Sequence, residues 1–317
     1  MVLFLQEKDV QQILTMEMTL QALEEAFREQ GLGKATNRPR SRIRVPHGIL
    51  HLMSAGIPSM RAMGYKAYTS FREGTRFHFL LYDTESGRLE AIMEADWLGK
   101  MRTGAASGLA TKYMAREDAH TLGLFGTGWQ ASTQVQAICA VRNITQIKVY
   151  SRNPERRQRF VQEIRPLVSA EVLPVEKPEE AVKGMDIIAT ITNARTPVFQ
   201  GEWLEEGTHI NAAGSNALIR QEIDETTVQR SSRIIVDSIE QSQIESGDLM
   251  IPIEKGKIYW ESVHELKDVV TGAVPGRTSP QEITLFKSNG IALEDVATAA
   301  RVYAVAKAEG IGQELPL

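Results

Sequence analysis

From Thr121 onward, short apolar runs alternate with stretches of helical spacing. The runs Ile147–Tyr150, Val172–Val175, Met185–Thr190, Thr208–Ala213 and Ser232–Asp237 read as strands, and Ser132–Val141, Pro154–Ile164 and Pro178–Val182 read as helices. Short apolar strands separated by helices imply a parallel sheet covered on both faces. The region before it reads differently. Leu3–Leu5 is a short strand, and Glu7–Leu14 and Thr19–Gln30 carry apolar residues at helical spacing (Leu20, Leu23, Ala26, Phe27), with Thr19 as a cap and Gly31 and Gly33 as stops. Strands follow at Ser41–Val45, Gly48–Met53, Met63–Ser70 and Phe77–Asp83; a turn at Thr84–Gly87 sends Arg88–Met93 back toward the last of them. Asp96–Tyr113 reads as a helix rich in small residues from Met101 to Gly108, and Leu293–Glu309 as a final helix with Asp295 near its positive end. The pattern is α/β, with a nucleotide-type domain inserted between an N-terminal domain and a C-terminal helix that returns to it.

Composition narrows the classes. A chain of 317 residues with 42% hydrophobic and 24% charged residues can bury a sizeable core in two domains. A net charge of −4 argues against nucleic-acid binding driven by overall charge. The single cysteine, Cys139, excludes an intramolecular disulfide and a cysteine-rich zinc site, and reads as a small buried apolar residue. His78, His120, His209 and His264 show no metal-ligand spacing, so no metal is expected. No apolar run approaches the length of a membrane span, and Met1–Glu7 lacks the basic region of a secretory leader, so a cytoplasmic protein is expected.

The chemistry concentrates at three places. After the run that ends in Phe125 comes Gly126-Thr127-Gly128-Trp129-Gln130-Ala131, then a helix, then a strand. That is the order a dinucleotide-binding βαβ unit requires. Gly126 permits the turn, Gly128 lets backbone approach a pyrophosphate, and Ala131 lets helix and strand pack closely. The stretch Arg38–Val45 places four arginines in seven residues. Alternation would put them on one strand face, either as a solvated edge or as an anion site of planar guanidinium forks. Lys66 lies in the apolar context Met63–Tyr68, as an exposed strand residue or as a cavity lysine of lowered pKa able to act as acid or base.

Taken together, the ordered segments resemble the ornithine cyclodeaminase/mu-crystallin family. They are Arg42 and Pro46, His51-Leu52-Met53, Gly64-Tyr65-Lys66-Ala67-Tyr68, Met101–Ser107, the Gly126–Ala131 turn, Ile210–Gly214, Glu245–Asp248, and Phe286-Lys287-Ser288 with Gly290. The resemblance implies a Rossmann NAD(P)-binding domain (117–288) inserted into an α+β substrate-binding and dimerisation domain (1–116), with 289–317 returning to the latter. It implies a homodimer acting on a small imino or amino acid by hydride transfer to or from a carbon bearing nitrogen and carboxylate. By the same resemblance Arg42 and Arg102 hold the substrate carboxylate and Lys66 is the active-site lysine. The cofactor is expected at Thr103 and at Gly126, Thr127, Gly128, Gln130 and Ala131, and further at Ser151, Arg152, Asn153, Thr190, Gly214 and Ser288.

Two departures from the family pattern carry information. Asn216 stands where cyclodeaminases have an aspartate; asparagine orients an amine or water but accepts no proton at neutral pH. Repeated proton handling is thereby weakened and simple imine reduction favoured. Ser151-Arg152 stands at the end of the second strand, where an acid normally accepts the ribose hydroxyls and repels a 2′-phosphate. This favours NADPH, with NADH as the other option. The expected activity is NADPH-dependent reduction of Δ1-pyrroline-2-carboxylate or Δ1-piperideine-2-carboxylate. The alternatives are an NAD-dependent ornithine cyclodeaminase or alanine dehydrogenase, and a non-catalytic NADPH-binding protein of the mu-crystallin type.

Overall fold

A computed structural model describes all of residues 1–317. In chain order the first elements are β1 (Val2–Leu5), α1 (Glu7–Ile13), α2 (Met16–Gly31), β2 (Thr36–Asn37), β3 (Ser41–Val45), β4 (Gly48–Ile57), β5 (Ala62–Phe71), β6 (Gly74–Asp83), β7 (Leu89–Glu94) and α3 (Asp96–Met114). The alternating region gives β8 (Thr121–Phe125), α4 (Ala131–Val141), β9 (Gln146–Tyr150), α5 (Pro154–Ile164), β10 (Glu171–Pro174), β11 (Ile187–Thr190) and β12 (His209–Ala212). It continues through α6 (Glu225–Arg230), β13 (Arg233–Val236), α7 (Ile239–Glu245), α8 (Gly247–Glu254), β14 (Val263–Glu265), α9 (Leu266–Val270) and β15 (Thr284–Lys287). The chain ends with α10 (Ala292–Glu309) and β16 (Gln313–Leu315).

Two compact units result: Met1–Arg102 with Ile291–Leu317, and Thr103–Gly290. The first division falls inside α3 rather than beyond its end. The cause is the small-residue half of that helix. Gly104 has no side chain, and a Cβ there would collide with the Thr133 carbonyl of α4, while Gln134 donates to the Thr103 carbonyl at 3.1 Å. From Thr103 onward the helix therefore packs as part of the nucleotide-type unit.

In the first unit the sheet runs β16-β1-β7-β6-β5-β4-β2, with β3 also on β4. Only β1–β7 is a parallel pair. Register places Arg42, His51, Tyr68 and Phe77 in one cross-strand row and Met53, Lys66 and Phe79 in the next. Since side chains alternate along a strand, both rows share one face. Helix α10 covers that face, lying against β4 and β5, and packs on α2. Thr15, not Thr19, caps α2: its Oγ1 accepts from Met18 N–H at 3.2 Å, whereas Thr19 sits inside the helix and donates to the Thr15 carbonyl at 2.7 Å. The helical pattern extends one turn further back than the apolar stripe alone indicated.

In the second unit all eight strands are parallel, in the order β10-β9-β8-β11-β12-β15-β13-β14. One face buries Leu122, Leu124, Val135, Ile138, Val149 and Phe160; the other buries Phe125, Ile188, Ile210, Ile234 and Leu285. Burial on both faces explains why these strands read as unbroken apolar runs. The segment after β10 forms a short 3₁₀ turn, Pro178–Ala181, in place of the expected helix. No helix is long and apolar enough to cross a membrane.

Candidate active site

The glycine turn of the second unit has the shape its residue types demanded. Gly126 adopts φ +108°, and a Cβ there would lie 2.5 Å from the Ile191 carbonyl oxygen. Its N–H donates to the Tyr150 carbonyl at 3.0 Å, tying the end of β8 to β9. Gly128 is exposed, and a Cβ would meet nothing within 4 Å, so open space lies before this backbone. Thr127 is half-buried between them. Ala131 is fully buried at the start of α4, and no side chain caps that helix. An uncapped helix N-terminus behind an open glycine suits the pyrophosphate of a dinucleotide. Gln130 Nε2 donates to Thr103 Oγ1 at 3.4 Å, which brings two of the expected cofactor residues together.

At the end of β9 no acid is present. Ser151 Oγ donates to the Asn153 carbonyl at 3.1 Å, and Asn153 caps α5 by accepting from Arg156 N–H at 2.7 Å. Asn153 is thus committed to the helix start. Arg157 is buried, donates to the Ser151 carbonyl at 2.8 Å and stacks over Tyr150 at 6.0 Å. Arg152 and Arg156 are exposed.

Of the remaining cofactor candidates, Gly214 and Ser288 rest on a buried charge network to which the sequence assigned no role. Lys287 pairs with Asp248 at 3.2 Å and donates to the carbonyls of Ser215 at 2.6 Å and Ser288 at 3.0 Å. Glu222 accepts from the N–H groups of Gly214 and Thr192, each at 2.6 Å; burial, then the Asp248 charge, hold its carboxyl above the ordinary range. These groups fix the turn that carries Gly214 and the half-buried Asn216 relative to Ser288. Asp237, just beyond β13, accepts from Ser238 N–H at 2.9 Å through one oxygen and holds Ser288 Oγ at 3.0 Å with the other. Thr190 is buried at the end of β11 with its hydroxyl unpartnered. Lys287 and Asp248 lie in segments that carry the family resemblance, but their sequence context assigned them no role; for Glu222 no local signal existed.

In the first unit, Lys66 is 1% exposed and donates to Asp295 Oδ1 at 2.7 Å. Its ammonium lies 5.8 Å from the ring centroids of both Tyr68 and Phe77. Burial, with the Arg102 charge, brings its pKa down to about 7 against the pull of Asp295. Arg102 donates through Nε to the same Asp295 oxygen at 3.1 Å and through Nη1 to Glu294 at 2.8 Å. Burial disfavours its charge, yet Asp295 and Glu294 outweigh that and raise its pKa above the ordinary value. Arg42 is half-buried on β3 beside His51, and Arg44 is exposed. Arg40, not singled out before, is only 5% exposed and acts electrostatically on both Lys66 and His51. His51 stacks on Tyr68 with centroids 4.2 Å apart, both ring nitrogens unpartnered. Burial, then Arg42, Arg40 and Arg44, lower its pKa to about 4, so the ring is neutral. Four cations (Arg40, Arg42, Lys66, Arg102) thus accompany two carboxylates, Glu294 and Asp295. Such a cluster favours an anionic ligand and contains a group able to exchange a proton near neutral pH.

Comparison with known proteins agrees in extent and in kind. The family model for ornithine cyclodeaminase/mu-crystallin proteins matches residues 2–310. A Δ1-pyrroline-2-carboxylate reductase from Bacillus cereus is 39% identical over 237 residues, 74% of this chain and 73% of that protein. The structure of Thermococcus litoralis Δ1-pyrroline-2-carboxylate reductase in complex with NADH and L-proline matches with a TM-score of 0.95 at 37% identity, covering 99% of this chain and 100% of that one. An archaeal alanine dehydrogenase dimer with bound NAD matches with a TM-score of 0.92 at 34% identity, covering 100% and 99%.

Proposed function

The chain belongs to the ornithine cyclodeaminase/mu-crystallin family, and on that premise we propose that it reduces a small cyclic ketimine, Δ1-pyrroline-2-carboxylate or Δ1-piperideine-2-carboxylate, to the cyclic amino acid with NADPH. It is an oxidoreductase acting on C=N or CH–NH bonds, and its cofactor is a nicotinamide dinucleotide. The observation that carries the finer reading is Lys66: a buried lysine whose pKa is brought to about 7 among arginines. A lysine at that point of balance donates a proton at neutral pH far more readily than a solvated one.

Arg42 and Arg102 bind the substrate carboxylate. Two of the five Arg102 N–H groups are engaged by Asp295 and Glu294, and the rest remain for a ligand. Lys66 gives a proton to the imine nitrogen. The Gly126–Ala131 turn would hold the reduced dinucleotide, which would supply the hydride. Asn216 orients the substrate amine or a water without taking its proton. Exposed Arg152, with Ser151 in place of an acid, favours the 2′-phosphate of NADPH; the T. litoralis enzyme was solved with NADH, so both forms belong in the assay.

Dimerisation is part of the proposal. The outer face of the first unit's sheet carries half-buried Tyr65, Leu80 and Tyr82, with the two tyrosine rings 6.4 Å apart, and exposed Met63. The archaeal alanine dehydrogenase is described as a dimer, and light scattering would test the same state here. That relative also supports a second reading, an NAD-dependent alanine dehydrogenase. Oxidation of NADPH and NADH is to be followed with each cyclic ketimine, with pyruvate plus ammonia, and with ornithine alongside. Turnover of a ketimine, faster with NADPH, is expected. Turnover of pyruvate plus ammonia alone would establish the second reading instead, and ammonia release from ornithine a cyclodeaminase.

A further inference from the structure

Asp295 opens α10, where an acid is expected to face the helix dipole. Its bonds go elsewhere. One oxygen, Oδ1, receives both the Lys66 ammonium at 2.7 Å and the Arg102 Nε–H at 3.1 Å. The other, Oδ2, is buried without a hydrogen-bond partner, and the residue is fully inaccessible. Glu294, next to it, engages Arg102. Burying ions in pairs is a poor source of stability, because desolvation of both partners offsets their attraction. An acid shared by two cations of one site is better explained by what it does to them.

We propose that Asp295 is a positioning residue that keeps Lys66 in its ammonium form and fixes it to Arg102 through a shared oxygen, so that proton donor and carboxylate clamp hold one spacing. The inference rests on the reading of Lys66 as proton donor given above. The groups around Lys66 leave this task to Asp295. Arg102 from α3 and Arg40 from the segment before β3 both disfavour the ammonium, and burial disfavours it more. Tyr68 and Phe77 offer ring faces from β5 and β6. His51 on β4 is neutral, and Glu294 is taken by Arg102. Asp295 is the carboxylate bonded to Lys66. In the reduction, the Nζ–H bond breaks and its electron pair stays on Nζ. The proton bonds the imine nitrogen, the hydride that the reduced dinucleotide would supply bonds the carbon, and solvent returns a proton to Lys66.

The test uses full-length protein in three forms: parent, Asp295→Asn and Asp295→Glu. The kcat/KM for the cyclic ketimine is measured against pH. In parallel, the Lys66 titration is read by NMR of lysine-labelled protein, assigned with Lys66→Arg. In Asp295→Asn the alkaline limb should move down by at least about one pH unit. That is a roughly tenfold or greater loss above neutrality, recovered on acidification, and the Lys66 titration should move with it. Asp295→Glu should restore the parental limb. A loss of the same factor at every pH, or an unmoved Lys66 titration in Asp295→Asn, would overturn the proposal. If Asp295→Asn does not fold, parent Lys66 already uncharged at about pH 6 would overturn it equally. A parent that reduces no ketimine sinks the proposed function alone, since the NMR titration needs no turnover.

Discussion

The carboxylate of Asp237 accepts the backbone N–H of Gly290 at 2.6 Å, and the same oxygen takes Asn289 N–H at 2.7 Å and Ser288 Oγ at 3.0 Å. Gly290 is in the left-handed region at φ +75°, a conformation that lets consecutive N–H groups point at one acceptor. Burial pushes the Asp237 carboxyl up, and the bonds from Gly290 and Asn289 oppose it. Replacing Asp237 with alanine leaves four buried donors without an acceptor, the three above and Ser238 N–H. We expect a loss of on the order of 3–5 kcal/mol in urea unfolding, with weaker dinucleotide binding because the Ser288 segment loosens. Asp237→Asn keeps an acceptor oxygen and should lose less; equal losses in the two variants would remove the carboxylate from the explanation.

Gly126 and Gly128 separate backbone strain from ligand access. Gly126→Ala forces a side chain to φ +108° and against the Ile191 carbonyl. It should cost roughly 1–3 kcal/mol of stability and weaken dinucleotide binding together. Gly128→Ala meets open space within the protein. Thermal unfolding should hardly change, while dinucleotide affinity falls at least about tenfold, about 1.4 kcal/mol, because the methyl group occupies the ligand's approach. The exposed Trp129 between Gly128 and Gln130 offers a fluorescence signal for both titrations. Unchanged affinity in Gly128→Ala would move the pyrophosphate away from this turn.

The second unit was legible because its determinants are local. A strand, two glycines and a helix stand within one stretch, and burial on both faces writes each strand as an apolar run. Of the residues proposed for the substrate, Lys66 stood out by its apolar context and Arg102 only through family resemblance, and alternation alone left the arginine strand open between solvated edge and anion site. Their acid was not legible. Asp295 lies 229 positions from Lys66, and its local setting, the first turn of an alanine-rich helix, fully accounts for an acid there. Arg40 and Arg42 could not be ranked by alternation, which puts both on one face; the contacts around that face bury Arg40 more deeply. Helices α6 and α7 are too short and polar to show a helical period, and their caps, Asp224 and Ser238, become decisive only once the strands around them are placed.

Cofactor choice is expected to rest on Arg152 and not on its buried neighbour. Arg152→Ser removes an exposed guanidinium from the end of β9. It should raise KM for NADPH about tenfold while leaving KM for NADH within a factor of about two. Arg157→Ala acts differently, because Arg157 braces the Ser151 carbonyl and the Tyr150 ring from inside. Both cofactors should then weaken together, with a lower unfolding temperature. Equal KM changes for the two cofactors in Arg152→Ser would contradict the assignment.

Acid sensitivity should trace to His209. Its ring is fully buried in β12, with Nδ1 2.9 Å from Thr284 Oγ1 and Nε2 3.3 Å from Asn211 Oδ1. Burial, then the Arg277 charge, lower its pKa from 6.5 to about 3. Unfolding returns the ring to water, where it takes a proton below about pH 6.5 that the folded chain refuses. The unfolded state therefore binds more protons between about pH 6.5 and 3. Stability is full above that window and falls as pH falls through it. Between pH 7 and 5 the single group should cost about 2 kcal/mol. His209→Gln removes the titration, so its urea midpoint should start lower at neutral pH yet decline less on acidification. His51 titrates in the same direction, and His51→Gln isolates its share. Parallel declines in parent and His209→Gln would show that the acid sensitivity arises at other groups.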